Sequence, residues 1–142
     1  MAGRSGADEY NARVIEEFRA SGGRLGGAWA GTPLVLIHHV GARSGVEHVT
    51  PLVPSLGDDR GFVLVAAAGG APKHPGWYHN LRANPRITVE AAGETYPALA
   101  EELDGAARED AWSRVVAESP QVADYQGRVS RRLPLFRVTR LD

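Results

Sequence analysis

Glycine and proline cut this chain into short pieces. Seventeen glycines and nine prolines fall among 142 residues, and turn residues at that density predict a sheet-rich fold. Leu34 to Val40 runs almost continuously apolar until His38 and His39, as a buried strand would, and Gly41-Ala42-Arg43-Ser44-Gly45 is a turn. Val46 to Leu56 reads as a second strand, with Val46, His48, Thr50 and Leu52 on one face and Glu47, Val49 and Val53 on the other. These two strands make a hairpin. Gly57 to Gly61 turns the chain into a third strand, Phe62 to Ala67. Arg86 to Ala91, Thr95 to Leu103 and Leu135 to Leu141 read as three more.

Helical patterns interrupt the strands. Residues 8–20 are amphipathic: Tyr10, Val14 and Phe18 recur every four residues with Ile15 beside them, and Asp8 is placed to cap the start. A short helix spans 76–83 and ends near Asn84-Pro85. Residues 104–118 form another, and the polar stretch 121–132 reads as loop or short helix. The expected fold is mainly β with α, an α+β chain built as a small β-barrel with helical insertions. An N-terminal helical segment, 1–23, precedes a single barrel domain, 24–142.

Composition excludes several functions. Hydrophobic residues make 43% of the chain and charged residues 23%, the balance of a soluble globular protein. A net charge of −1 gives no global field for nucleic acid. The absence of cysteine removes disulfides, thiolate catalysis and sulfur metal sites. The N-terminus lacks the apolar core of a signal peptide, and a cytoplasmic protein is expected. Helix 8–20 either packs on the domain or serves as a mobile lid or a membrane-surface helix. Its mixed-sign polar face weakens the idea of peripheral membrane contact. Nothing in the chain sets the oligomeric state.

The chemistry concentrates around residues 66–80, AAAGGAPKHPGWYHN. Small residues let a ligand approach the backbone, Gly69 and Gly70 supply free dihedrals, and Lys73 is the only lysine. All five histidines lie between 38 and 79, yet His38 and His39 are adjacent and no HxH or HExxH pair occurs, so no metal site is expected. Ser44 is not in a nucleophile elbow. With no evident acid, base or nucleophile, the chemistry is expected to come from a bound cofactor. Arg43, Ser44 and His48, with Ala68-Gly69-Gly70 and Lys73, would form an anion site if the first three strands are neighbours.

These residues carry a family resemblance. GARSGVEHVTPL (41–52), VAAAGGAPKHPGWYHNLRANP (65–85) and ITVE (87–90) resemble the deazaflavin-dependent nitroreductases of actinobacteria, split β-barrel reductases of the FMN-binding-protein type that use coenzyme F420. The resemblance implies that the cofactor's phosphate and oligoglutamate tail meet Arg43, Ser44 and His48, in the motif that Thr50 and Pro51 close. It places the ring along Ala66, Ala67 and Ala68 and sets Gly69, Pro75, Trp77 and Asn80 in the cofactor site, where a glutamate tail calls for extra positive charge such as Lys73, His74 or Arg43. His48 stands where the family commonly has Arg, and Ala68 where relatives often have a polar residue. The implied reaction is hydride transfer from reduced F420 to a small-molecule acceptor: a quinone, a nitroaromatic compound or an activated enone. The finishing proton would come from solvent, Tyr78, Tyr125 or His79, with Tyr125 and Trp29 bordering the substrate. The alternatives are an FMN-binding split-barrel oxidoreductase and a non-catalytic deazaflavin-binding module.

Overall fold

The computed structural model describes residues 6–23, 33–91 and 93–141, so Trp29 lies outside the described residues. In chain order the elements are α1 (Gly6–Ala20), β1 (Val35–Val40), β2 (Glu47–Leu52), β3 (Ser55–Asp58), β4 (Gly61–Val65), α2 (Gly76–Ala83), β5 (Arg86–Ala91), β6 (Glu94–Glu102), α3 (Gly105–Glu118), α4 (Gln121–Gly127) and β7 (Leu135–Arg140). Helix α1 begins at Gly6, which puts Asp8 inside its first turn rather than at its cap.

The expected long strand 46–56 is two strands. Pro54 has no N–H to give a ladder, and the chain changes partner there. β2 pairs with β1, and β3 pairs with β4. The full sheet is antiparallel in the order β2-β1-β5-β6-β7-β4-β3. Its two edge strands are therefore consecutive in sequence, joined only by Val53 and Pro54. Such a link spans at most about 11 Å from Leu52 to Ser55. The sheet must curl until its edges approach, which makes the expected split barrel. The three strands expected to be neighbours adjoin through the second of them, which meets β1 along β2 and β4 along β3; in the sheet order itself β5, β6 and β7 lie between β1 and β4.

Three apolar clusters hold this shape. Inside the curl, Val35, Ile37, Phe62, Leu64, Val89, Phe136 and Val138 meet Trp77, Tyr78 and Leu81 of α2, which plugs one end. Alternate residues of β4 and β7 face outward: Val63 and Leu135 pack under α3 and α4 against Ala111, Val115 and Val122. Val14 and Phe18 of α1 cover Leu34 and Leu36 on the outer face of β1, with Ile15 and Val49 alongside. β1 is thus covered on both faces, which explains its unbroken apolar start. Tyr10, the first residue of the α1 pattern, is exposed. Among the described residues no helix is long and apolar enough to cross a membrane.

One glycine is set by close approach. A Cβ at Gly61 would sit 1.8 Å from the Val138 carbonyl oxygen, so β4 can pair tightly with β7 only with no side chain there.

Candidate functional site

The site forms where the β1–β2 turn meets the start of α2. Pro75 precedes the helix in an extended conformation and its carbonyl accepts from the Tyr78 N–H at 3.1 Å. Asn80 lies one turn on, and its Oδ1 accepts from the Ala42 N–H at 2.9 Å. That bond fastens the β1–β2 turn to α2. Within the turn, Ser44 Oγ accepts from the Val46 N–H at 3.2 Å. Gly41 leaves room for this arrangement, since a Cβ there would lie 2.3 Å from Ser44 Oγ.

Two clefts open on either side of this fastening. One, of about 730 Å³, is lined by Arg43, Ser44, His48, Gly76, His79, Asn80 and Arg82 with the small residues Gly41, Ala42 and Ala83. It contains two guanidiniums and no carboxylate, so it is a cationic patch on a chain whose net charge is −1. Arg82 also leans 3.3 Å from Glu102. The other cleft, of about 700 Å³, is lined by His39, Glu47, His48, Val49, Thr50, Gly76, Trp77 and Asn80, with Asn11, Ala12 and Ile15 of α1. It is neutral and part aromatic apart from Glu47. His48, Gly76 and Asn80 line both clefts, so the two form one bipolar groove.

The floor of the groove is His39, which is only 4% exposed. Its Nδ1 lies 3.0 Å from Asn80 Nδ2 and its Nε2 lies 2.9 Å from Thr50 Oγ1. The His48 ring stacks over it, with centroids 5.5 Å apart. Burial, then the neighbouring His48 and His38, push the His39 imidazole down to about 4. His38 points to the opposite face, with Nδ1 3.0 Å from Glu47 and Nε2 2.5 Å from Glu90.

The sequence candidates divide. Arg43, Ser44, His48, Thr50, Trp77 and Asn80 come together along the groove. Pro51 follows Thr50 on β2, and Pro75 abuts the groove through Gly76. Ala66 and Ala67 are buried and line neither cleft. Their carbonyls accept from Arg131 Nη1 and Nη2 at 3.0 and 2.9 Å. Ala68 and Gly69 lie in a short turn after β4, where Ala68 holds φ +49°, a strained value for a residue with a side chain. Lys73 is exposed and lines neither cleft. Tyr78 is buried in the barrel, where its hydroxyl accepts from Arg82 Nη1 at 3.2 Å. Tyr125 packs in the cluster under α4 with Arg128 against its ring. Neither tyrosine lines the groove, whereas His79 does.

Sequence reasoning passed over two groups. Asn11, Ala12 and Ile15 reach the neutral cleft because α1 docks beside β2. The helical pattern showed the docking face but not what it docks beside. Arg131 also accepts no local cue: it holds the carbonyls of Ala66, Ala67 and Ala71 and sits 3.0 Å from His74 Nδ1, sixty residues away in sequence. Burial, then the Arg131 charge, lowers the His74 pKa. Among the described residues no group of three His, Cys, Asp or Glu side chains is placed to hold a metal ion.

Comparison with known proteins agrees with this architecture. Residues 11–140 match the model of the family described as F420H(2)-dependent quinone reductase. An F420H(2)-dependent quinone reductase of Mycobacterium tuberculosis is 32% identical over 127 residues, 87% of this chain and 85% of that protein. A solved F420-H2 dependent reductase (FDR-A) superposes with a TM-score of 0.66 at 38% identity, covering 75% of this chain and 93% of that one. A structure described as a domain-swapped dimer superposes with a TM-score of 0.69 at 34% identity, covering 93% and 96%. A curled antiparallel barrel, a matching family model over nearly the whole chain and relatives of this similarity lead to one conclusion: the chain belongs to the F420H(2)-dependent quinone reductase family and is an oxidoreductase whose cofactor is F420.

Proposed function

We propose that the groove between the β1–β2 turn and α2 holds F420, and that the protein reduces a quinone with it. The supporting observation is the polarity of the groove, with a carboxylate-free cleft carrying Arg43 and Arg82 joined to a neutral cleft walled by Trp77. An elongated cofactor with an anionic tail and a flat ring matches that donor set. Arg43, Ser44 and His48 would hold the anionic part. His48 is exposed, and an imidazole lacks the forked, permanently charged donor set of a guanidinium, so it gives a weaker grip than an arginine at the same position.

The reduced cofactor, when bound, supplies a hydride. The protein's own part is to bind, orient and exclude water. Trp77 and Thr50 shape the neutral cleft, and α1 roofs it with Asn11, Ala12 and Ile15. Reducing a quinone to a hydroquinone takes one hydride and one proton. The proton comes from solvent or from His79, the candidate donor that lies along the groove. Nitroaromatic compounds and activated enones accept hydride by the same balance and are proposed as further acceptors.

The test is a tryptophan-fluorescence titration with F420 and, separately, with FMN. Saturable quenching by F420, absent in Trp77→Phe, is the expected result. Quenching by FMN alone would discard the tail-site placement. Oxidation of reduced F420 by a soluble quinone, measured in the same preparation, tests the acceptor.

A further inference from the structure

One chain of hydrogen bonds beneath the groove has its polarity fully determined. It begins at the Ala42 N–H, which can only donate. The Asn80 atom facing it at 2.9 Å must therefore be the carboxamide oxygen. The other end of the same carboxamide is then Nδ2, which can only donate, and it faces His39 Nδ1 at 3.0 Å. His39 Nδ1 must accept, so the proton of the neutral ring sits on Nε2. Nε2–H in turn donates to Thr50 Oγ1 at 2.9 Å. Thr50 is left with its own hydroxyl proton and, among the described residues, no acceptor for it. The half-buried Thr50 lines the neutral cleft.

We propose that His39 is a positioning residue that fixes the Thr50 hydroxyl as a hydrogen-bond donor into the cleft, and so selects a ligand carrying an acceptor oxygen or ring nitrogen at that point. This rests on the placement of F420 in the groove. A threonine hydroxyl ordinarily rotates to donate or accept as its ligand demands. Here the backbone of the β1–β2 turn sets the choice through two intervening side chains. A donor group of a ligand, such as an amine, would meet the Thr50 proton head-on. The same chain also ties the turn that carries Arg43 to the neutral cleft, so the two ends of the groove keep one register. The low basicity of His39 keeps the ring neutral and the polarity intact at ordinary pH.

The neutrality has a geometric basis as well. His48 stacks on the ring from β2, His38 flanks it along β1, and the partners at its two nitrogens, Thr50 and Asn80, are both uncharged. Of the groove's other charged side chains, Glu47 of β2 bonds to His38 on the opposite face. A second proton on His39 would set Nδ1–H against Asn80 Nδ2–H and break the chain at its centre.

The experiment uses the ¹⁵N-histidine-labelled full chain without cofactor. At pH 7 the His39 resonances should report a protonated Nε2 and an unprotonated Nδ1. A protonated Nδ1 overturns the proposal outright. F420 affinity then measures the consequence. Thr50→Val and His39→Leu should each weaken binding about tenfold, the worth of one good hydrogen bond. The double variant should be no weaker than either single one. His39→Gln, which can accept at one end and donate at the other, should recover most of the loss. Additive losses, or no recovery with glutamine, would show that His39 only fills space. Should His39→Leu fail to fold, Thr50→Val, His39→Gln and the tautomer still decide. If the unmodified protein binds no F420, the proposed function falls, while the tautomer alone settles the hydrogen-bond chain.

Discussion

Arg19 grips Glu90 with two parallel bonds, Nη2 to Oε2 at 2.7 Å and Nε to Oε1 at 3.1 Å, and so ties the last turn of α1 to β5. His38 meets the same carboxylate from β1. Arg19 is half exposed, so the pair contributes at most about 1 kcal/mol to global stability. Its larger effect is local. In Glu90→Gln the α1 amides should exchange hydrogen faster while the β1 and β5 amides keep their protection. Phe18→Ala, which empties a buried site under α1, should cost about 3–5 kcal/mol if the helix stays docked. Equal loss of protection in α1 and the barrel after Glu90→Gln would show that the two do not open separately.

Acid should destabilise the protein in two stages. His39 titrates at the ordinary 6.5 when unfolded and near 4 when folded. Between those values the unfolded chain holds the extra proton, so stability rises with pH. The contribution is full above pH 6.5 and falls away toward pH 4, by about 3 kcal/mol. Glu90 acts below that window. The hydrogen bond from Arg19 outweighs burial and, with His38, holds its carboxyl below the usual range. Its contribution is present above the ordinary carboxylate pKa and is lost as pH falls through the lower, folded value. Urea midpoints at several pH values should show both stages, and His39→Gln should flatten only the upper one.

Arg43→Ala should weaken F420 binding by about 1.5–3 kcal/mol for each charge-assisted bond removed. Unchanged affinity would move the anion site elsewhere in the groove. The companion, His48→Arg, should tighten binding, and more so at low salt.

Arg131→Met should unfold at lower denaturant and expose the 66–74 loop to protease. It removes the guanidinium that caps three backbone carbonyls, at a cost of about 2–4 kcal/mol. A stable, protease-resistant variant would mean that water replaces the arginine without loss.

Gly61→Ala should be among the most damaging single substitutions, about 3 kcal/mol or more, because the added carbon overlaps the Val138 carbonyl. Thermal unfolding measures it directly. Gly57→Ala, where a Cβ meets open space, serves as the control.

Much of the fold was legible in the sequence because its signals are local. Pro75 and Asn84-Pro85 bracket α2, and the helix runs over 76–83 as expected. The apolar runs at Leu34, Phe62 and Leu135 all begin or contain strands. The failure at 46–56 has a physical cause. Alternation tells which face a residue takes but not which strand it pairs with, and Pro54 sits where the partner changes from β1 to β4.

The candidate site divides along the same line. Arg43, Ser44 and His48 share one turn and its following strand, so their convergence follows from chain proximity. Ala66 and Ala67 have the small side chains that suit a ligand surface, yet Arg131 takes their carbonyls from 65 and 64 residues away. Tyr78 sits one residue from Trp77, but the helical rotation of α2 turns its hydroxyl to Arg82 while Trp77 borders the neutral cleft.

The sequence by itself determined the strand-forming runs, the glycine and proline turns, the basic turn at 41–45 and the family motif, because each depends on residues close along the chain. Only the tertiary structure decided that the sheet's two edges are joined by Val53 and Pro54, that α1 roofs the neutral cleft, and that Ala42, Asn80, His39 and Thr50 form one directed chain of hydrogen bonds. Those arrangements depend on which distant segments meet, and pairing, burial and bond direction come into being only when they do.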